Sequence, residues 1–234
     1  MRYFLLLLFT LVTLPCVHAQ SRVKYLIESG YAGTELTPST VDRADLLDAR
    51  RLARLGDRQA QFTTGAMYHA LGDANSAVYW YRRAALFHHP IAAHNLATMY
   101  YMADGVERDI AAAERWFLVA AEAGYPQSQT QLGIMTYRGE VTVEEYSEAD
   151  WYREAAMGGD PFGQYNLGVL LFNGNGVEQD MVKALAWLKL ANKVLSVDDA
   201  IKKVVATLPA DEIAQADRLA SELEDEISPP VFRG

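Results

Sequence analysis

The chain has 234 residues, 21 of them Lys or Arg and 30 Asp or Glu, giving a formal net charge of −9, and half of its residues are hydrophobic. That length and apolar content suffice for a continuous core, and a surface of this sign repels phosphate backbones and anionic lipids, which argues against nucleic acid as a partner. One cysteine, Cys16, excludes an intrachain disulfide framework.

In chain order, residues 1–19 read as a secretory signal peptide. Met1 and Arg2 supply a short positive start, Phe4 to Leu14 is apolar apart from two threonines, and Val17-His18-Ala19 offers a cleavage site before Gln20. The stretch is too short for a membrane span. Cys16 raises a lipoprotein alternative, although Pro15 stands where a small residue is usual. Cleavage after Ala19 removes the only cysteine and one base, moving the net charge from −9 to −10. The expected product is an exported, periplasmic protein without disulfides.

Residues 20–59 read as an N-terminal arm and a degenerate capping repeat. Residues 20–43 are ambiguous, with Thr37-Pro38-Ser39-Thr40 a loop or a helix start, while Leu52-Ala53 and Gly56-Asp57 replay the end of a second helix. Residues 60–196 carry the strongest signal. The four tryptophans, Trp80, Trp116, Trp151 and Trp187, are spaced 36, 35 and 36 residues apart. Such a period marks stacked helical hairpins, none of which buries its apolar face alone. Other columns repeat in register: Ala84-Ala85, Ala120-Ala121, Ala155-Ala156 and Ala191-Asn192 after the tryptophans, and Leu96-Ala97, Leu132-Gly133 and Leu167-Gly168 before them. Ala92, Leu96 and Tyr100, four residues apart, form one face of a first helix. Gly65, Ala97, Gly133 and Gly168 lack bulk, so a second helix should pack closely there.

The turns and caps follow from residue type. Gly105, Gly174 and Gly176 supply positive φ, Gly124 and Gly159 close second helices, and Pro126 and Pro161 open first helices. Asp109 and Asp180 are expected to cap second helices, and Thr142-Val143-Glu144-Glu145 reads as the capping box of the third unit. After Trp187 the Gly column becomes Leu195, so the last second helix should run on. Residues 197–227 read as C-terminal capping helices, one over Asp198 to Leu208 and one opened by Pro209 with Ile213, Ala216, Ala220, Leu223 and Ile227 on one face. Residues 228–234 are a tail.

These columns resemble the Sel-one-like repeat family. The resemblance rests on Leu167-Gly168, Gly174-x-Gly176-Val177, Asp180 and Lys183-Ala184-x-x-Trp187 in one unit, and Trp151-Tyr152-x-x-Ala155-Ala156-x-x-Gly159 in another. The stretch Leu208-Pro209-Ala210-Asp211-Glu212-Ile213-Ala214-x-Ala216 is similar to the end segment of bacterial members. The resemblance implies an all-α fold, a right-handed α/α superhelix, and protein–protein interaction. Among exported members it implies envelope and motility scaffolds, signalling regulators, and immunity proteins that neutralise type VI secretion effectors. One branch carries a disulfide in each repeat, which the mature chain, lacking cysteine, departs from.

No constellation of residues points to catalysis, a cofactor or a metal. His88, His89 and His94 cluster at one junction, with His69 on the preceding first helix, but no acid or cysteine lies between His88 and His94 to complete a ligand set. His88 replaces the capping Gly, and its neighbours read as solvated. Asn173-Gly174-Asn175-Gly176 lacks the strand and the Gly-Lys-Ser/Thr ending of a phosphate loop. Glu144-Glu145 and Asp198-Asp199 sit at helix starts, where acids cap. Met67, Met99 and Met135, with Leu170 in the fourth unit, are either core or an adaptable apolar stripe. Asn95, Gln131 and Asn166 precede the leucine column, and Met102, Arg138 and Asn173 lie two turns on. With Met99, Met135 and Leu170, these are the residues expected to line the inner surface and contact a partner. The expected function is non-catalytic binding of another protein, a basic or membrane-active secreted effector in the most concrete version, by an immunity protein for which an oligomer is one open arrangement. An envelope scaffold or a sensor-kinase regulator is the alternative.

Overall fold

The computed structural model describes residues 36–227 apart from 143 and 145. The leader, the rest of the N-terminal arm and the tail therefore lie outside the described residues. Those described form eleven helices and no strand. Four hairpins follow one another: α2 (Arg58–Ala70) with α3 (Ala74–Leu86), α4 (Pro90–Met102) with α5 (Ile110–Glu122), α6 (Pro126–Tyr137) with α7 (Glu148–Met157), and α8 (Pro161–Asn173) with α9 (Met181–Ala191). α1 (Arg43–Arg54) precedes them as a lone second helix, and α10 (Asp198–Val205) and α11 (Ala210–Glu226) close the array. From α1 to α10 each helix packs on its neighbours in sequence, as a solenoid requires.

The residue after each tryptophan fills the centre of its hairpin. Tyr81, Phe117, Tyr152 and Leu188 are all buried, whereas Trp116 is only half-buried and the other tryptophans sit between hairpins. The small column faces them. A Cβ on Gly65 would lie 2.7 Å from the Tyr81 ring, one on Gly133 2.6 Å from Tyr152, and one on Gly168 2.9 Å from Leu188. Glycine is there for close approach of two helices.

The ends of the helices match the capping chemistry in most units. Asp109 accepts from Ala112 N and Asp180 from Lys183 N. Gly124 and Gly159 take φ of +79° and +82°, and His88, in the same register, takes +58°. The third unit differs from expectation. Its second helix starts at Glu148, capped by a Ser147–Asp150 capping box rather than by Thr142 to Glu145. In the other units the cap lies seven residues before Trp; here Ser147 lies four before Trp151, so α7 loses its first turn. The fourth second helix also stops earlier than expected, at Ala191. Asn192 takes over the turn, accepting from Val197 N at 2.8 Å and donating to Asp198 at 3.2 Å. α11 lies against α9, burying Ala216 and packing Ala220, Leu223 and Ile227 on the third and fourth hairpins. Its outward acids Glu222, Glu224, Asp225 and Glu226 are exposed.

Candidate functional site: the first-helix surface

The first helices α6 and α8 meet side by side and leave a groove of about 430 Å³ between them. Arg138, Asn166, Leu170 and Asn173, four residues named from the sequence, line it together with Tyr137, Phe162 and Tyr165. Tyr137 and Phe162 are 63% and 57% exposed. Large exposed rings beside an arginine and side-chain amides combine apolar anchors with groups that donate to and accept from a polypeptide backbone.

The other predicted contact residues are distributed differently. Met99, Met135 and Leu170 are 3%, 0% and 4% exposed, so they are core residues rather than a presented stripe. They share a helix face with the leucine column, and the pairing of hairpins covers that face. Asn95 is half-buried and hydrogen-bonded with the Tyr81 hydroxyl, so it has a structural task. Burial pushes the Tyr81 phenol well up from its ordinary value. Gln131 is half-buried and Met102 is 67% exposed; neither lines the α6–α8 groove. The rings Tyr137 and Phe162 were not anticipated. A signal for the first existed, since Tyr101, Tyr137 and Phe172 hold one register across three units.

Polar bridges tie successive first helices at their C-terminal ends. Arg138 Nη1 donates to the Tyr101 hydroxyl at 3.0 Å, and that hydroxyl donates to Glu140 Oε2 at 3.0 Å. Arg108 Nε donates to the Tyr101 carbonyl at 3.2 Å, and its guanidinium lies 5.4 Å from the Tyr101 ring centre. One hairpin earlier, His69 Nε2 meets Asp104 Oδ2 at 2.8 Å. The bond to Tyr101 restrains the Arg138 side chain, which lines the groove.

The histidines separate into different roles. His88 is an exposed turn residue, but its neighbours are not solvated. His89 is buried at the N-cap of α4, where Nδ1 accepts from Ala92 N and Nε2 pairs with Gln59 Oε1 at 2.9 Å. Burial first, and the Arg58 charge second, lower its pKa to about 4. His94 is half-buried, bonds Ser128 Oγ at 2.9 Å, and is likewise lowered to about 4 by burial. Both are neutral structural groups near pH 7, each with its own partner. Among the described residues no three His, Cys, Asp or Glu converge as metal ligands. No described helix is long and apolar enough to cross a membrane.

A row of helical hairpins whose first helices carry an aromatic and amide groove defines the class: a helical repeat protein. The Sel1 repeat matches residues 59–86, 90–125, 126–160 and 161–193, more than half of the chain, and the chain belongs to that family. Sel1 repeats are protein-binding modules. Among curated proteins none matches. Solved structures do. A protective antigen present in uropathogenic Escherichia coli strains, displaying an SLR fold, is 28% identical with a TM-score of 0.74 over 89% of this chain and 45% of its own length. A Sel1 repeat protein from Oxalobacter formigenes is 22% identical, with a TM-score of 0.63 over 86% of this chain and 83% of that one. The chain thus spans less than half of the first of these relatives.

Proposed function

We propose that this chain is a non-catalytic, exported binding protein whose first-helix surface holds another protein, and that it acts in the periplasm as an immunity protein against a toxic secreted effector of the type VI class. The groove carries the first part: Arg138, Asn166 and Asn173 stand around exposed Tyr137 and Phe162, the residue mixture from which binding hot spots are built. The leader-like residues 1–19 support export, and the acidic balance suits a basic or membrane-seeking partner, since complementary fields speed association. The second reading, an envelope scaffold or a sensor-kinase regulator, uses the same groove with a different occupant.

The test is affinity capture from native periplasm with residues 20–234 as bait, with lysate from competing siblings added. A single stoichiometric hit to a secreted lipase, nuclease or wall hydrolase is the expected result. Recovery of flagellar, polysaccharide-export or sensor proteins instead would overturn the immunity reading. With the captured partner in hand, Arg138→Glu, or Asn166→Ala with Asn173→Ala, should weaken binding by about tenfold or more while the thermal midpoint stays put. Unchanged binding would place the partner elsewhere on the chain.

A further inference from the structure

α1 differs from the other second helices in what covers it. α3, α5 and α7 each pack between two first helices, and α9 packs on α8, α10 and α11. α1 packs on α2, and no described helix precedes it. Its outward stripe is apolar and basic. Arg43, Leu47, Arg51 and Arg54 follow at four, four and three residues, one face of a helix, with Leu55 next to the last. Leu47 and Leu55 are 54% and 79% exposed, and the three arginines are exposed as well. Among the described residues none of these arginines is in an ion pair. Exposed leucines set among cations make an interaction stripe rather than a solvated face.

The opposite end of the chain carries the complement. α11 ends on Glu222, Glu224, Asp225 and Glu226 with no base in its last turn. Carboxylates there meet the negative end of the helix dipole, and Glu222 and Glu226, four residues apart, repel each other. Cations brought against them from outside relieve both costs. The fold already pairs charges of this kind once, since Lys189 and Lys193 of α9 hold Asp217 and Glu224 of α11. Those lysines stand two and six residues after Trp187. Arg50 and Arg54 stand two and six residues after Asp48, which takes the tryptophan place in α1, four before Leu52 and eight before Gly56. α3, α5 and α7 do not carry a base at both places: they have Arg82 and Leu86, Leu118 and Glu122, and Arg153 and Met157. α1 therefore repeats the cation pattern that holds an acidic helix on α9, while Glu222, Asp225 and Glu226 are in no ion pair among the described residues.

We propose that the outward stripe of α1 docks on the C-terminal acids of α11 in a second copy of this chain, Arg51 and Arg54 meeting Glu222, Asp225 and Glu226 while Leu47 and Leu55 are covered by the junction. Made reciprocally, α1 to α11 and α11 to α1, the contact closes a dimer, the commonest assembly of identical chains. The charges on both sides are exposed, so the contact weakens as salt rises. It shares no residue with the first-helix groove, so each can fail without the other.

The experiment is analytical ultracentrifugation of the whole exported chain, residues 20–234, over a concentration series. The expected mass rises with concentration toward that of a dimer at low salt, and association weakens roughly tenfold on going from about 0.05 M to about 0.5 M salt. Two charge-reversed variants follow, Arg51→Glu with Arg54→Glu, and Glu222→Lys with Asp225→Lys. Each alone should associate roughly tenfold more weakly than the parent, because like charges then face each other. Mixed in equal amounts they should associate as the parent does, since the reversed α1 of one meets the reversed α11 of the other. All four residues are exposed, so the variants retain the fold, and the salt series needs no variant. A chain that stays monomeric at low salt overturns the proposal and leaves the α1 stripe to residues 20–35 or to another protein. Association that ignores salt, or a mixture that does not recover it, overturns the proposal as well. Failure of Arg138→Glu to disturb capture of a partner would count against the first-helix groove and leave this result standing.

Discussion

At the scale of single residues, left-handed turns separate the residues that chose their position from those that tolerate it. Gly124 has φ +79° and nothing within 4 Å of where a Cβ would sit, so its only requirement is conformational. Gly124→Ala should destabilise the protein by about 1–2 kcal/mol through backbone strain alone. His88 holds the equivalent place at φ +58° and is exposed. His88→Gly should therefore stabilise by about 0.5–1 kcal/mol, the relieved strain being partly offset by the freer unfolded chain. Urea denaturation of both variants checks the pair. If His88→Gly were destabilising, the imidazole would be making a contact that outweighs its strain.

At the scale of elements, the third hairpin departs from the others. Its second helix runs Glu148–Met157, ten residues, against thirteen for α3 and α5. Ser147 and Asp150 satisfy each other's backbone, and the hydrogen bond with Ser147 is the main reason the Asp150 carboxyl is held below its ordinary value. Ser147→Ala should cost about 1 kcal/mol by the loss of an N-cap, whereas Thr142→Ala, at the position that reads as a cap in sequence, should stay within about 0.5 kcal/mol. Equal losses in thermal denaturation would return the cap to Thr142. Two capping boxes compete in this stretch, and local residue types cannot rank them. In the structure the late start goes with a packing contact, Tyr146 just before the helix stacking on Trp151.

At the scale of the whole molecule, the two buried histidines link stability to acid. Burial is the chief cause of both folded pKa values lying at about 4, below the ordinary 6.5, so the unfolded chain binds more protons in between. Stability should be fully present above about pH 6.5. It should then fall as pH drops toward 4, by up to roughly 1.4 kcal/mol per unit for each histidine. Below about 4 these two groups add no further loss. Unfolding free energies measured between pH 7 and 4.5 should show this slope, and His94→Gln should remove about half of it. A flat profile would mean that His89 and His94 titrate as solvent-exposed groups. A solenoid passes stability only between neighbours, so both histidines, which sit where the first two hairpins meet the next, affect the array beyond their own hairpins.

Period and composition, readable from the chain alone, determined that helices pair into hairpins, how many complete hairpins there are, and which family they belong to. A repeated backbone imposes the same spacing on every unit, and Trp, Ala and Gly columns record it. The sequence also located Arg138, Asn166, Leu170 and Asn173, which the fold brings to one groove. Tertiary structure decided which of the candidate residues remain available. Met99 and Met135 each lie on a helix that also carries exposed residues, and only the stacking of hairpins determines that their face is covered; Leu170, equally buried, reaches the groove only as part of its floor. It also decided the fate of His89 and His94, whose burial depends on Phe62, Phe117 and Tyr125 packing against them from other parts of the chain. Such contacts between distant residues leave no local pattern, so no reading of spacing could have supplied them.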